Sequence, residues 1–143
     1  MSNALEAFNP LVDSASGQAR LPPLTVRGFD GDFWVTKWRE ELSGDRFVEV
    51  LYGARPDSLN DDGLQLEISA TAWMTDSPGT SWTRPYLAEY VSSSGLVDIV
   101  ERTAHVLSAA WKESHDAAQH LEEVKTRRER ALDILRERGI RVT

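Results

Sequence analysis

GLVDIVERTAHVLSAAWKESHDAAQHLEEVKTRRERALDILRERG, residues 95–139, contains no Pro and carries Gly only at its two ends. Leu96, Val100, Thr103, Leu107, Ala110, Ser114, Ala117, Leu121, Val124, Arg128, Ala131 and Leu135 follow one another at alternating steps of four and three. That unbroken heptad register predicts a helix, since a strand would alternate at every second residue. The forty-three residues between the glycines would form a straight helix roughly 65 Å long. A compact domain of about 100 residues has a radius of gyration of only about 13 Å. A continuous helix therefore cannot lie entirely on the body of its own chain. Part of it projects, and an apolar stripe that projects calls for a partner.

The stripe changes character along its length. In the first half, Val97, Ala104, Trp111 and Ala118 add a second apolar row beside the heptad positions, as suits a helix that covers a sheet. After Ala118 the apolar surface narrows to Leu121, Val124, Ala131, Leu132, Ile134 and Leu135 among Glu and Arg. Leu121, Val124, Arg128, Ala131 and Leu135 are accordingly the candidate interface residues. Thr103, Ala110, Ser114, Ala117 and Arg128 make the seam poor for a strong isolated coiled coil. A competing reading breaks the helix near Ser114–Asp116, where Asp116 and Gln119 have the form of a capping box, and folds it back as a hairpin.

Upstream, the periodicity switches to two. In residues 64–74, Leu64, Leu66, Ile68, Ala70 and Ala72 alternate with Gln65, Glu67, Ser69 and Thr71. This predicts an antiparallel strand buried on one face and wet on the other. Residues 24–29, 32–40 and 46–52 read as three further strands, with turns at Asp30-Gly31 and around Ser43-Gly44-Asp45. Trp34, Thr36 and Trp38 share one face of the second of these. Residues 53–63, GARPDSLNDDG, read as a loop. Residues 82–91 form either an edge strand or a short helical turn, because Pro85 excludes a central position. Ser92, Ser93 and Ser94 offer N-caps to the long helix. Residues 1–23 hold Pro10 and Pro22-Pro23 and read as an arm, a frayed terminus or a short helical turn. The expected fold is α+β: a four- or five-stranded antiparallel sheet covered on one face by a long C-terminal helix that extends as a coiled coil. The expected division is an arm at 1–23, a sheet-plus-helix body at 24–118 and a projecting helix tip at 119–143.

Composition bounds the function. Net charge is −7 over 143 residues. Residues 1–124 hold nine Lys and Arg against twenty Asp and Glu, a balance of −11, while residues 125–143 hold seven against three, a balance of +4. An acidic body repels phosphate backbones, which argues against nucleic acid as a partner and fits a basic protein instead. With no Cys, disulfides and thiolate metal sites are excluded. No apolar run approaches the ~18 residues of a membrane span. The N-terminal stretch lacks the basic and long apolar regions of a signal peptide, so the cytoplasm is the expected compartment.

No phosphate-loop, dinucleotide, zinc-protease or serine-hydrolase motif is present. His105 and His115 are ten apart and His115 and His120 five apart, and neither pair shares a helix face. Asp116, His120 and Glu123 do share one and form a weak metal candidate, for which a solvated ion pair is the simpler use. Ser58, Asn60, Asp62 and Gly63 resemble the start of a calcium loop, but Ser69 stands where the bidentate Glu belongs. Trp34 and Trp38 suit a stacking platform, although core packing is the ordinary use of such a pair. No cofactor or metal is expected. The expected function is a non-enzymatic, acidic protein–protein interaction module: an immunity protein, chaperone or adaptor with a basic partner. The alternative is a structural subunit of a larger oligomeric assembly, such as a phage or secretion complex.

Overall fold

The computed structural model describes residues 3–43, 45–57, 60–77 and 80–140. The elements in order are α1 (Asn3–Ala19), β1 (Val26–Asp30), β2 (Phe33–Leu42), β3 (Arg46–Asp57), β4 (Asn60–Met74), β5 (Ser81–Ser92), a short 3-10 turn (Ser93–Gly95) and α2 (Val100–Glu137). The strands form a five-stranded antiparallel meander in the order β1-β2-β3-β4-β5. Both helices lie on one face of it. The expected α+β architecture is present, with β5 as an edge strand.

Alternation determines which face is covered. In register across the sheet, Thr36 pairs with Tyr52 and Tyr52 with Ile68, while Trp38 pairs with Val50 and Val50 with Ala70. All of these are buried. Thr36 Oγ1 donates to the Tyr52 carbonyl oxygen at 2.7 Å, so its hydroxyl is satisfied in the core. Trp38 is fully buried and Trp34 packs against the same cluster. The two indoles are core residues and not a stacking platform.

Three sequence expectations need correction. Residues 3–19 form a helix, not a frayed arm. Phe8, Leu11, Val12 and Ala15 recur at helical spacing and are all buried. Phe8 meets the Tyr52 ring edge-on at 5.2 Å. A Pro inside a helix costs about 3 kcal/mol, but burial of a Phe, a Leu and a Val, each contributing about 1.5–3 kcal/mol, outweighs it. The helix ends with Arg20 in the left-handed region, where the Leu21 N–H reaches the Ser16 carbonyl at 3.1 Å.

The second correction concerns residues 53–63. Most of this stretch extends β3, as far as Asp57, and β4, from Asn60. At Gly53 the Phe33 ring lies over the backbone in the space a Cβ would take, so a side chain there would displace the ring. Pro56 is tolerated because β2 pairs with β3 only as far as Ala54, so its missing N–H faces no neighbour on that side. Ser58 lies outside the described residues, and the calcium-like pattern goes with it.

The third concerns α2. It does not start from the serine run: Ile99 precedes its first turn with no side-chain cap. It does run unbroken through Ser114–Asp116. Ser114 is buried and its Oγ donates back to the Trp111 carbonyl at 2.7 Å, so it opens no new helix. Thr103 does the same towards Ile99 at 2.9 Å. These small satisfied hydroxyls let α2 approach the sheet closely. At the far end Gly139 adopts φ 73°, and the Ile140 N–H reaches the Leu135 carbonyl at 2.9 Å.

The buried Tyr52 phenol makes the core sensitive to alkali. Burial pushes its pKa from 10.0 up to about 12. The unfolded chain then loses this proton before the folded chain does. Stability is therefore full below pH ~10 and should fall as pH climbs through ~12, by roughly 3 kcal/mol from this group. Urea unfolding across this window should show the fall, and Tyr52→Phe should remove that share. An unchanged slope in the variant would place the phenol in water.

Candidate interaction surfaces

Two of the surfaces that the described residues leave open bear on function. The first is the face of the sheet opposite the helices. Side chains that alternate with the core residues gather there: Phe33, Val35, Lys37 and Arg39 from β2, Phe47, Glu49, Leu51 and Arg55 from β3, and Gln65, Glu67, Ser69, Thr71 and Trp73 from β4. Phe47 stacks on Trp73 with ring centroids 5.4 Å apart and planes 13° apart. The Arg39 guanidinium lies 5.6 Å from the Trp73 ring. Arg55 lies 4.7 Å from the Phe33 ring, which in turn covers Gly53. Glu49 accepts from Arg39 Nε and Nη2 on one oxygen, at 2.9 and 2.7 Å, with Lys37 3.5 Å from the other. The cations of this face are thus partly neutralised. Aromatic rings and aliphatic side chains stand half-buried between them.

The second surface lies along α2. The helix is tied to the rest of the chain by ion pairs, Arg102 with Glu89, Glu113 with Arg84, Glu122 with Arg46 at 3.2 Å and Lys125 with Asp76, and by a hydrogen bond between His115 Nε2 and Glu40 at 3.2 Å. The Asp76 carboxylate holds the Lys125 ammonium above the usual lysine pKa. Beyond Lys125 the helix leaves the body. The twelve residues Thr126–Glu137 extend about 18 Å further.

Of the five residues expected at an interface, Leu121 is only 7% exposed and packs with Val48, Ala72, Met74 and Ala118 of its own chain. It is a core residue, so the body reaches further along the helix than Ala118. The reason is where the helix crosses the sheet: Val48, Ala72 and Met74, at the end of β4 remote from Ser92, lie beneath Ala118 and Leu121. Val124 is 40% exposed. Arg128 and Ala131 are exposed and Leu135 is half-buried. Leu121, Val124 and Arg128 come together with Ala117 and Trp82 along a groove of about 440 Å³ between α2 and the start of β5. Ala131 and Leu135 continue the same stripe on the projecting segment.

The remaining candidates disperse. His115 Nδ1 lies 2.7 Å from the Trp111 carbonyl oxygen. His120 meets Glu123 at 3.5 Å, and Asp116 does not join them. Among the described residues no three His, Asp or Glu side chains converge as metal ligands do. No helix among them is long and apolar enough to cross a membrane. Asp133 and Arg136 pair at 3.5 Å, as their spacing implies. The open aromatic face was written into the alternation of β2 and β3. Its exposure depended on both helices choosing the other side. No family model, curated protein or solved structure matches this chain.

Proposed function

We propose that the protein is a non-enzymatic, acidic interaction module that seats a basic protein partner on the uncovered face of its sheet. The observation that carries this reading is the stacked Phe47–Trp73 pair with its half-buried neighbours on a face that no described element covers. Contiguous apolar surface rimmed by charge is what protein-binding sites present. The basic sign of the partner rests on long-range attraction by the −11 balance of residues 1–124, since the face itself holds Lys37, Arg39 and Arg55 against Glu49 and Glu67. On this reading the role resembles that of an immunity protein, chaperone or adaptor.

Leu51 lies near the middle of the face, in register with Lys37 on one side and Ser69 on the other. Leu51→Lys places a charge among the rings without touching the helix-covered core. Affinity capture from the native host with wild-type chain should retain a basic protein, and Leu51→Lys should lose it while keeping its urea midpoint. Equal retention by both chains would contradict the use of this face.

A second reading, a structural subunit of an oligomeric assembly, is favoured by the projecting end of α2. Light scattering separates the two. A discrete monomer or dimer fits the module, and a higher oligomer fits the assembly subunit.

A further inference from the structure

The groove beside Trp82 and the projecting end of α2 are complementary, and we propose that a second copy of this chain fills the groove by pairing the two α2 helices antiparallel. Ala117, Leu121 and Val124 wall the groove with His120 and Arg128 beside them, and Trp82 closes its side; Ala131 and Leu135 continue the heptad stripe past the body. A helix with a narrow apolar stripe fits such a groove, and the projecting segment of another copy is a helix of that kind. A two-fold axis near Val124 sets the outer stripe of each copy, Ala131 and Leu135, against the inner stripe of the other. The contact is then the same patch on both chains, as a closed dimer requires.

Charge selects the direction. Between Glu113 and Glu123, α2 holds four acids and no Lys or Arg, while residues 125–138 hold six Lys and Arg against three acids. Some of these charges are already used. Glu113 and Glu122 pair with Arg84 and Arg46, and Lys125 with Asp76. What remains is still complementary. Among the described residues Asp116 makes no ion pair and Glu123 meets only His120, whereas Arg127, Arg128 and Arg130 make none. An antiparallel pair runs the unpaired cations of each tip beside the acidic middle of the other helix. A parallel pair would set Arg128 against its own copy at a seam position and bring the two basic tips together. The antiparallel arrangement also places the two bodies at opposite ends. This inference uses α2 and the edge of β5, not the open sheet face, so it stands or fails independently of the proposed partner.

The chain has no Cys, which makes directed cross-linking clean. Ala117→Cys and Ala131→Cys, which the axis at Val124 sets level with each other, prepared as separate full-length chains and mixed under mild oxidation at low salt, should form a mixed disulfide. Ala131→Cys alone should not cross-link. Light scattering should give a dimer of twice the 16.0 kDa chain that dissociates as salt is added. Val124→Glu should weaken it about tenfold or more, since it buries an unpaired charge. Leu135→Glu lies beyond the body and should do the same with an unchanged urea midpoint, which separates lost pairing from lost folding. A chain that stays monomeric at all concentrations would overturn the proposal. So would an Ala131→Cys homodisulfide formed as readily as the mixed one, or a dimer indifferent to both Glu variants.

Discussion

Leu66→Ala should lower the unfolding free energy by about 2–5 kcal/mol, as large-to-small changes in a packed core do. Leu66 is 1% exposed, sits opposite Ala54 on β3 and Glu89 on β5, and belongs to the cluster that holds Phe8, Trp38 and Leu107. Both helices converge on this cluster. The hole left by the missing atoms lies beneath them and above a paired central strand, and neither side can relax freely into it. The neighbouring Glu67→Ala is the control, because its side chain points to the open face. It should change stability by no more than about 0.5 kcal/mol. Urea unfolding of the two variants measures the alternation of β4 directly. A cost below about 0.5 kcal/mol for Leu66→Ala would mean that the strand presents the other face to the helices.

What could be read in the sequence follows from how local each determinant is. β2 and β4 were legible because one-sided burial imposes a period of two on every residue. The heptad register of α2 was legible for the corresponding reason at helical spacing. Its continuity through Ser114 was harder to see, because a Ser followed by Asp and Gln carries the same local signal as a new helix start. Only the burial of Ala118 and Leu121 against Val48, Ala72 and Met74 decides the matter, and these contacts join residues far apart in the chain.

The second half of β3 was hidden by Gly53 and Pro56, which signal a turn in isolation. Their real reasons are tertiary: a ring above Gly53 and an absent neighbour beside Pro56. α1 was hidden by Pro10, whose local cost is overridden by burial of Phe8, Leu11 and Val12. Of the interface stripe, the spacing was visible but the point at which it leaves the body was not, so Leu121 was grouped with Val124 although it belongs to the core. The open aromatic face shows the same limit. Alternation sets Phe33 in β2, and Phe47 and Leu51 in β3, opposite the core residues of their own strands, but whether that face is covered depends on where both helices lie.

The central claim is that α2 is a single helix with two parts: one completes the core, and the other projects from it. Ending the chain at two points separates them. A chain ending after Ser114 loses Ala118 and Leu121 and uncovers Val48, Ala72 and Met74. It also loses the Glu122–Arg46 and Lys125–Asp76 pairs. Loss of the Leu121 side chain alone costs about 1.5–3 kcal/mol, and the uncovered strand residues add to it. With a total stability of about 5–15 kcal/mol, this chain should be severely destabilised. A chain ending after Thr126 keeps all of these contacts and should unfold within about 1 kcal/mol of the full chain, compared at low protein concentration so that association does not contribute. Urea unfolding of both truncated chains is the most direct measurement. The account predicts a large loss for the first and almost none for the second. A stable chain ending after Ser114, or an unfolded one ending after Thr126, would contradict it.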